Sequence, residues 1–371
     1  MRKTLPIVAT LLLVASLVMA RPLGTFTLGA VTRTDCATGA TCNNFTVTIP
    51  GVPGSFAGEL EVTSPSGSIT AVDVFFSLES GTGFWGGMPN PTTLVKTTLF
   101  NPLLAAGHQL IRVRWTFGAW YNTIPQNLGQ MDDACRPATV MEWVRQHHPA
   151  PCFNLIGTSN GSAAIAYAMG SFGIRPNKAI IDSGPPMMEL AEGCEHAFGT
   201  TNLSYNDNAR TIIDLGQGFP SNGPCKNIDF SYDTIWHANS VEAVDSWNYP
   251  AVDIHVVIGL IDEILIQQRG QDYYNLLVAH GLSAHWHPIT GGGHGLYGSQ
   301  QGLTAAYNIL SSSPTPTPTA APPTPTPTAT PLQTRLLPPR QRKWHFNACM
   351  LNETILYHTG VHGVALRNII L

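Results

Sequence analysis

Short apolar runs separated by turn residues organise most of this chain, and their period sorts strands from helices. Phe45-Thr46-Val47-Thr48-Ile49 alternates apolar and polar positions. So does Phe56 to Val62, and Pro53-Gly54 between them predicts an antiparallel pair. Further runs suited to strands are Ala71–Phe76, His108–Trp115, Phe153–Ile156, Lys178–Asp182, Val252–Gly259 and Ser283–Ile289. Helical spacing covers Met131 to His148, interrupted by Pro137, then the alanine-rich Ser162–Met169, Asp272–His280 and Gln300–Leu310. Strands that alternate with helices predict an α/β fold, a mostly parallel central sheet with helices on both faces. From about 187 to 250 the pattern weakens and Gly, Asn, Cys and aromatics accumulate, as in an inserted cap.

The two ends differ from this middle. Arg2 and Lys3 precede an apolar run, Leu5 to Met19, and Val18-Met19-Ala20 suits a cut before Arg21. The run is shorter than the ~20 residues a membrane span needs. Residues 1–20 therefore read as a cleaved secretion signal, with no cysteine at the new N-terminus to take a lipid. Residues 21–312 read as one catalytic domain. Residues 313–331 are a Pro/Thr-rich linker, extended and poorly able to pack, and 332–371 form a tail too short for a confident domain.

Composition narrows the function classes. Charged residues are 11% of the chain, against about 25% in an average soluble protein. A net charge of -4 argues against a nucleic-acid binder, which carries a basic patch or stripe. Seven cysteines suit an oxidising compartment. Proximity suggests the pairs Cys36/Cys42, Cys135/Cys152 and Cys194/Cys225, with Cys349 left over. No Cys-x-x-Cys supports a zinc ribbon or a thioredoxin site.

The candidate chemistry centres on Gly157-Thr158-Ser159-Asn160-Gly161, set between a strand and a helix. In such a strand–turn–helix the flanking glycines avoid clashes, and the serine hydroxyl projects beyond the sheet at the positive end of a helix. A serine needs a base, and the base an orienting acid. In an open α/β sheet both belong on loops after later strands. Gly259-Leu260-Ile261-Asp262-Glu263 supplies a carboxylate, and Gly291-Gly292-Gly293-His294-Gly295 an imidazole. Asp262 is the favoured acid, with Asp182 next and Glu263 adjacent. Asp132 and Asp133 suit a helix start, and His147 and His148 a helix end. His285 and His287 share a face of one strand, but no third metal ligand accompanies them at a recognisable spacing. Trp85, Trp115, Trp120, Trp236 and Trp247 either line an acyl pocket or pack in the core and cap.

The Ser159, Asp262, His294 order and these three loops resemble the α/β-hydrolase-fold serine hydrolases over roughly residues 40–310. The resemblance implies a Ser/Asp/His triad acting on an ester, thioester or amide carbonyl without metal or organic cofactor. It also implies an oxyanion hole made by the backbone N–H of Asn160 and one from the loop after Ala71–Phe76, where Leu78 is the donor by position. That loop, Ser77-Leu78-Glu79-Ser80-Gly81, lacks the family's His-Gly pattern. The leading expectation is a secreted carboxylic-ester hydrolase for small or polymeric esters, tethered through the linker to a surface or polymer. The competing expectations are a secreted peptidase or amidase of the same fold, and a surface binding protein that has lost catalysis.

Overall fold

The computed structural model describes residues 20–31, 36–76, 90–116, 120–121 and 129–312. The expected signal, linker and tail, with Leu78, Trp85 and Cys349, lie outside the described residues.

The strands are β1 (Thr25–Leu28), β2 (Ala40–Thr48), β3 (Phe56–Thr63), β4 (Ala71–Phe76), β5 (His108–Trp115), β6 (Cys152–Thr158), β7 (Lys178–Asp182), β8 (Asp253–Gly259) and β9 (Ala284–Ile289). They form one sheet in the order β1-β2-β3-β5-β4-β6-β7-β8-β9. Pairing is antiparallel from β1 through β5, then parallel from β5 to β9. Strands of a parallel sheet covered on both faces are apolar throughout rather than alternating. Ala71-Val72-Asp73-Val74-Phe75-Phe76 is buried at every position, with Asp73 held by His108 and Asn154.

The helices are α1 (Thr93–Val95), continuing through a π-helical segment (Lys96–Phe100) into α2 (Asn101–Ala105), then α3 (Gln130–Asp133), α4 (Cys135–His147), α5 (Asn160–Ser171), α6 (Leu190–Glu195), α7 (Asp207–Gly216), α8 (Asp233–Asn239), α9 (Ile264–Ala279) and α10 (Gln300–Ser311). Strand side chains alternate between faces. Val74, Leu155, Ile181 and Val256 pack with α4, α5 and α9, whereas Phe75, Ile156, Ile180 and Val257 pack with α1, α2 and α10. Helices thus cover both faces, as the alternating pattern predicts. Among the described residues no helix is long and apolar enough to cross a membrane.

Several boundaries differ from the sequence expectation for identifiable reasons. Pro137 does not interrupt a helix. It lies in the first turn of α4, where the missing N–H has no intrahelical acceptor to lose, and the break falls at Ala134. Helix α9 begins at Ile264 rather than Asp272. Gly270 within it lets the helix approach β8: a Cβ would stand 2.6 Å from Ile258 Cδ1. The α1–α2 helix escapes the sequence reading. Its π turn closes from the Asn101 N–H to the Lys96 carbonyl just before Pro102, a residue that cannot donate.

Two of the three suggested disulfides form, Cys36–Cys42 and Cys194–Cys225. Cys135 and Cys152 are free thiols. They flank α4, whose 13 residues rise roughly 20 Å, far beyond the ~7 Å that a disulfide spans between Cα atoms. The Cys135 Sγ instead faces the Pro22 carbonyl at 3.6 Å.

Lys178, 2% exposed at the start of β7, fastens α10 to the sheet. Its Nζ donates to the Ile309 carbonyl at 2.6 Å, to the Ser312 Oγ at 2.8 Å and to the Ser312 carbonyl. A cation there meets carbonyls that a helix C-terminus leaves without partners. Lys178→Met keeps the aliphatic stem and strands those acceptors. It is expected to lower unfolding stability by about 1–3 kcal/mol, measured by urea denaturation.

Candidate active site

Ser159 sits in the turn from β6 to α5 with φ 53° and ψ −120°, a left-handed φ that is unfavourable for a side chain. The turn is held on both sides. The Ser159 N–H donates to the Asp182 carbonyl at 2.9 Å, and the Ser159 carbonyl accepts the Ser162 N–H at 2.8 Å. Gly157 is required by contact: a Cβ there would stand 2.3 Å from the Gly161 carbonyl oxygen. The first glycine of the motif is thus explained by one close approach of backbone to backbone.

Asn160 opens α5, so its N–H belongs to the helix's first, intrahelically unpaired donors. Its side-chain amide donates to the Tyr121 hydroxyl at 3.0 Å, and its carbonyl accepts the Trp120 indole N–H at 3.0 Å. This bracing by Trp120 and Tyr121 is invisible in the sequence, since neither lies near the motif along the chain.

Asp262 and His294 come from loops after neighbouring strands, β8 and β9. The loops lie backbone on backbone: the Ile261 N–H donates to the Gly292 carbonyl at 3.0 Å. A Cβ at Gly259 would stand 2.2 Å from the Gly292 oxygen. His294 Nδ1 then lies 3.0 and 3.1 Å from the two Asp262 carboxylate oxygens. Asp262 Oδ1 also accepts the Glu263 N–H at 2.7 Å, which fixes the carboxylate. Burial would lower the His294 pKa. The hydrogen bond and charge of Asp262, followed by the charges of Asp182 and Glu263, outweigh it and hold the pKa above the ordinary 6.5.

Asp182, the alternative acid, does something else. Its fully buried carboxylate accepts the Thr158 hydroxyl and, at 2.9 Å, the Leu296 N–H. Next to it, Ser183 Oγ accepts the Gly295 N–H at 2.9 Å. Two consecutive residues at the end of β7 therefore clamp the two residues after His294. Burial pushes the Asp182 pKa up to about 6, against the pull of its hydrogen bonds and of His294.

Ser159, Asn160 and His294 line one cavity of about 360 Å³, together with Glu263. The other walls are Pro186, Met187, Tyr205, Ile213 and neighbours from the segment between β7 and β8, and Ile266 of α9. None of the four described candidate tryptophans lines it. Trp115, Trp120 and Trp236 are buried in the core, and Trp247 stacks on His280. Of the other acids and histidines, Asp133 pairs with Arg136 at 3.1 Å, Asp132 with Arg21 at 2.5 Å, and His147 Nδ1 meets the Trp143 carbonyl. His285 and His287 lie at the opposite end of the sheet.

A strand, a serine at positive φ and a helix stand at the centre of a mostly parallel sheet, with an acid loop and a histidine loop following in that order. This is the α/β-hydrolase fold. No family model and no curated protein matches the chain. Solved structures do. Carboxyl esterase 2 of the mycorrhizal fungus Tuber melanosporum is 15% identical, over 76% of this chain and 87% of that one, with a TM-score of 0.44. Est1E from Butyrivibrio proteoclasticus is 13% identical, over 73% of this chain and 97% of that one, with a TM-score of 0.45. The acylaminoacyl peptidase of Pyrococcus horikoshii is 13% identical over 73% of this chain, covers only 41% of its own length, and scores 0.45. Likenesses this distant say nothing of the chemistry in the cavity.

The imidazole environment gives a direct test. Asp262→Asn removes the charge that favours the imidazolium while burial remains. The His294 pKa is then expected to drop below its present raised position, read from the ring C–H signals in an NMR pH titration. An unmoved titration would contradict the Asp262–His294 contact.

Proposed function

We propose that the chain is a secreted serine hydrolase that cleaves carboxylic esters through an acyl-enzyme on Ser159. One observation carries the reading: Ser159, projected at φ 53°, shares a cavity with His294, whose Nδ1 faces the Asp262 carboxylate at 3.0 Å. The largely apolar walls suit an acyl chain, and a cavity of about 360 Å³ is in the lower range of small-molecule sites. The apolar leader of residues 5–19 and the two disulfides support secretion.

In the proposed cycle His294 takes the Ser159 proton as the serine oxygen attacks the acyl carbonyl. Asp262 keeps Nδ1 protonated, so Nε2 is the base, and it stabilises the imidazolium. The oxyanion is met by the Asn160 N–H, with Leu78 proposed as second donor. His294 next protonates the leaving alkoxide. Water, deprotonated by the same imidazole, finally hydrolyses the acyl-enzyme. The segment from 187 to 250 acts as the cap that shapes the acyl side of the cavity. No step calls on a cofactor.

A fluorophosphonate probe is expected to label the folded protein once, on Ser159, and Ser159→Ala is expected to abolish labelling and lower kcat by on the order of 10⁶-fold. A folded sample that resists the probe, or a variant that still takes it, leaves the non-catalytic binding protein as the better account. Matched aryl ester and anilide series decide between esterase and amidase.

The pH dependence has a definite sign. The base works only as neutral imidazole, so kcat/KM falls as pH drops through the His294 pKa. Because that pKa lies above 6.5, the acid limb of the profile is expected above pH 6.5. A limb below 6.5 would remove His294 from the role.

A further inference from the structure

Four side chains that the proposed chemistry does not use meet at the amino ends of β8 and β9. Asp253 and His255 come from β8, His285 and His287 from β9, and His255 and His285 are direct cross-strand partners. A period of two puts all four on one face, the face that Val257 and Ile289 bury against α10. The serine cavity lies at the carboxyl ends of the same strands.

The distances are short on every side. Asp253 Oδ1 lies 2.9 Å from His285 Nε2, and Asp253 Oδ2 lies 3.2 Å from His255 Nε2. One ligand atom from each of Asp253, His255 and His285 fits within 4.8 Å of the others. Ligand atoms about 2.0–2.2 Å from a zinc ion stand roughly 3.3–3.6 Å apart in a tetrahedron, and each imidazole lies near that distance from one carboxylate oxygen, Oδ1 for His285 and Oδ2 for His255.

An independent observation points to an ion. His255 is 7% exposed, and its buried Nε2 has the Asp253 carboxylate, 3.2 Å away, as its polar neighbour and makes no well-formed hydrogen bond. Its other nitrogen, Nδ1, meets His287 Nε2 at 2.9 Å. With Nδ1–H donating to His287, the buried Nε2 turns a lone pair toward a carboxylate. A cation between them satisfies both. His287 then plays the outer part usual for a ligating histidine, fixing its tautomer through the second ring nitrogen. Access is available from one side, because β9 is an edge strand and the His285 side chain is 45% exposed. Lys178 is the cross-strand partner of Asp253, yet its ammonium is spent on carbonyls at the end of α10.

We propose that Asp253, His255 and His285 bind one divalent first-row transition ion, zinc foremost, with His287 orienting His255. Two imidazoles and one carboxylate suit such an ion far better than calcium or magnesium, which take oxygen ligands. An open fourth position is left for water. The ion joins β8 to the edge strand β9, whose far ends carry the Asp262 and His294 loops.

The test uses the full chain without an affinity tag, stripped with chelator and titrated with Co²⁺. One equivalent is expected to bind with visible d–d absorption bands of a four- or five-coordinate site, and Zn²⁺ is expected to displace it and raise Tm. His285→Ala, a substitution at an exposed position, is expected to remove those bands while Ser159 still reacts with the fluorophosphonate probe. His287→Ala is expected to weaken Co²⁺ binding by roughly 10–100-fold. Absence of the bands in the parent protein, or their persistence in His285→Ala, would overturn the proposal.

Discussion

Everything at the carboxyl edge of the sheet depends on backbones being allowed to touch. Gly157 against Gly161 and Gly259 against Gly292 are the two contacts, and at each a single Cβ would fall within 2.3 Å of a carbonyl oxygen. The first contact lets β6 turn into α5 over one residue and leaves Ser159 at a positive φ. The second lays the Asp262 loop on the His294 loop, so that carboxylate and imidazole meet. Ser183 also has a positive φ of 48°, and its hydroxyl accepts the Gly295 N–H of the histidine loop. Strained residues of this kind cost about 1–3 kcal/mol each and persist where their surroundings over-determine them. Here the surroundings are the buried central strands β4, β6, β7 and β8.

The same physics decides what could be read from the sequence. Buried parallel strands are apolar at nearly every position, so β4 to β8 announce themselves, and the glycine spacing marks the turns between them. Strand β1 carries Thr25-Phe26-Thr27-Leu28 at a mostly exposed edge and gives no such mark. Cys135 and Cys152 are near along the chain yet apart in space, because helix α4 runs between them. Trp120 and Tyr121 brace Asn160, and Asp182 clamps Leu296, through contacts between residues far apart in sequence. Asp182 and Trp120 stand out in the sequence for other roles, as an acid and as a pocket wall, and Tyr121 for none. The partner of His285 and His287 is hidden in the sequence for the same reason. It belongs to the neighbouring strand, and only the β8–β9 register brings it alongside.

Asp182 and Asp262 illustrate how environment divides labour between like groups. Both end or follow a central strand, and both lie close to His294. Asp182 is occupied by a hydroxyl and a backbone N–H and is fully buried, so its protonated form is favoured up to about pH 6. Asp262 turns both oxygens to the imidazole at nearly equal distances. The first fixes where the loop runs, and the second fixes which way the ring faces.

That division leaves β9 as the weak point. Among the described residues it has one neighbour, β8, and it contains Pro288, which has no N–H to offer and is tolerated at an edge. The imidazole of His294 hangs from the end of this strand. Its position is set from one side by the Asp182 and Ser183 clamp and from the other by the register of β9 on β8. A one-residue slip in that register would turn His285 and His287 to the opposite face and carry the histidine loop with them. The imidazole cluster at the amino end and the glycine contact at the carboxyl end are therefore two fastenings of one strand. A cross-link between β8 and β9 at either end resists the same displacement.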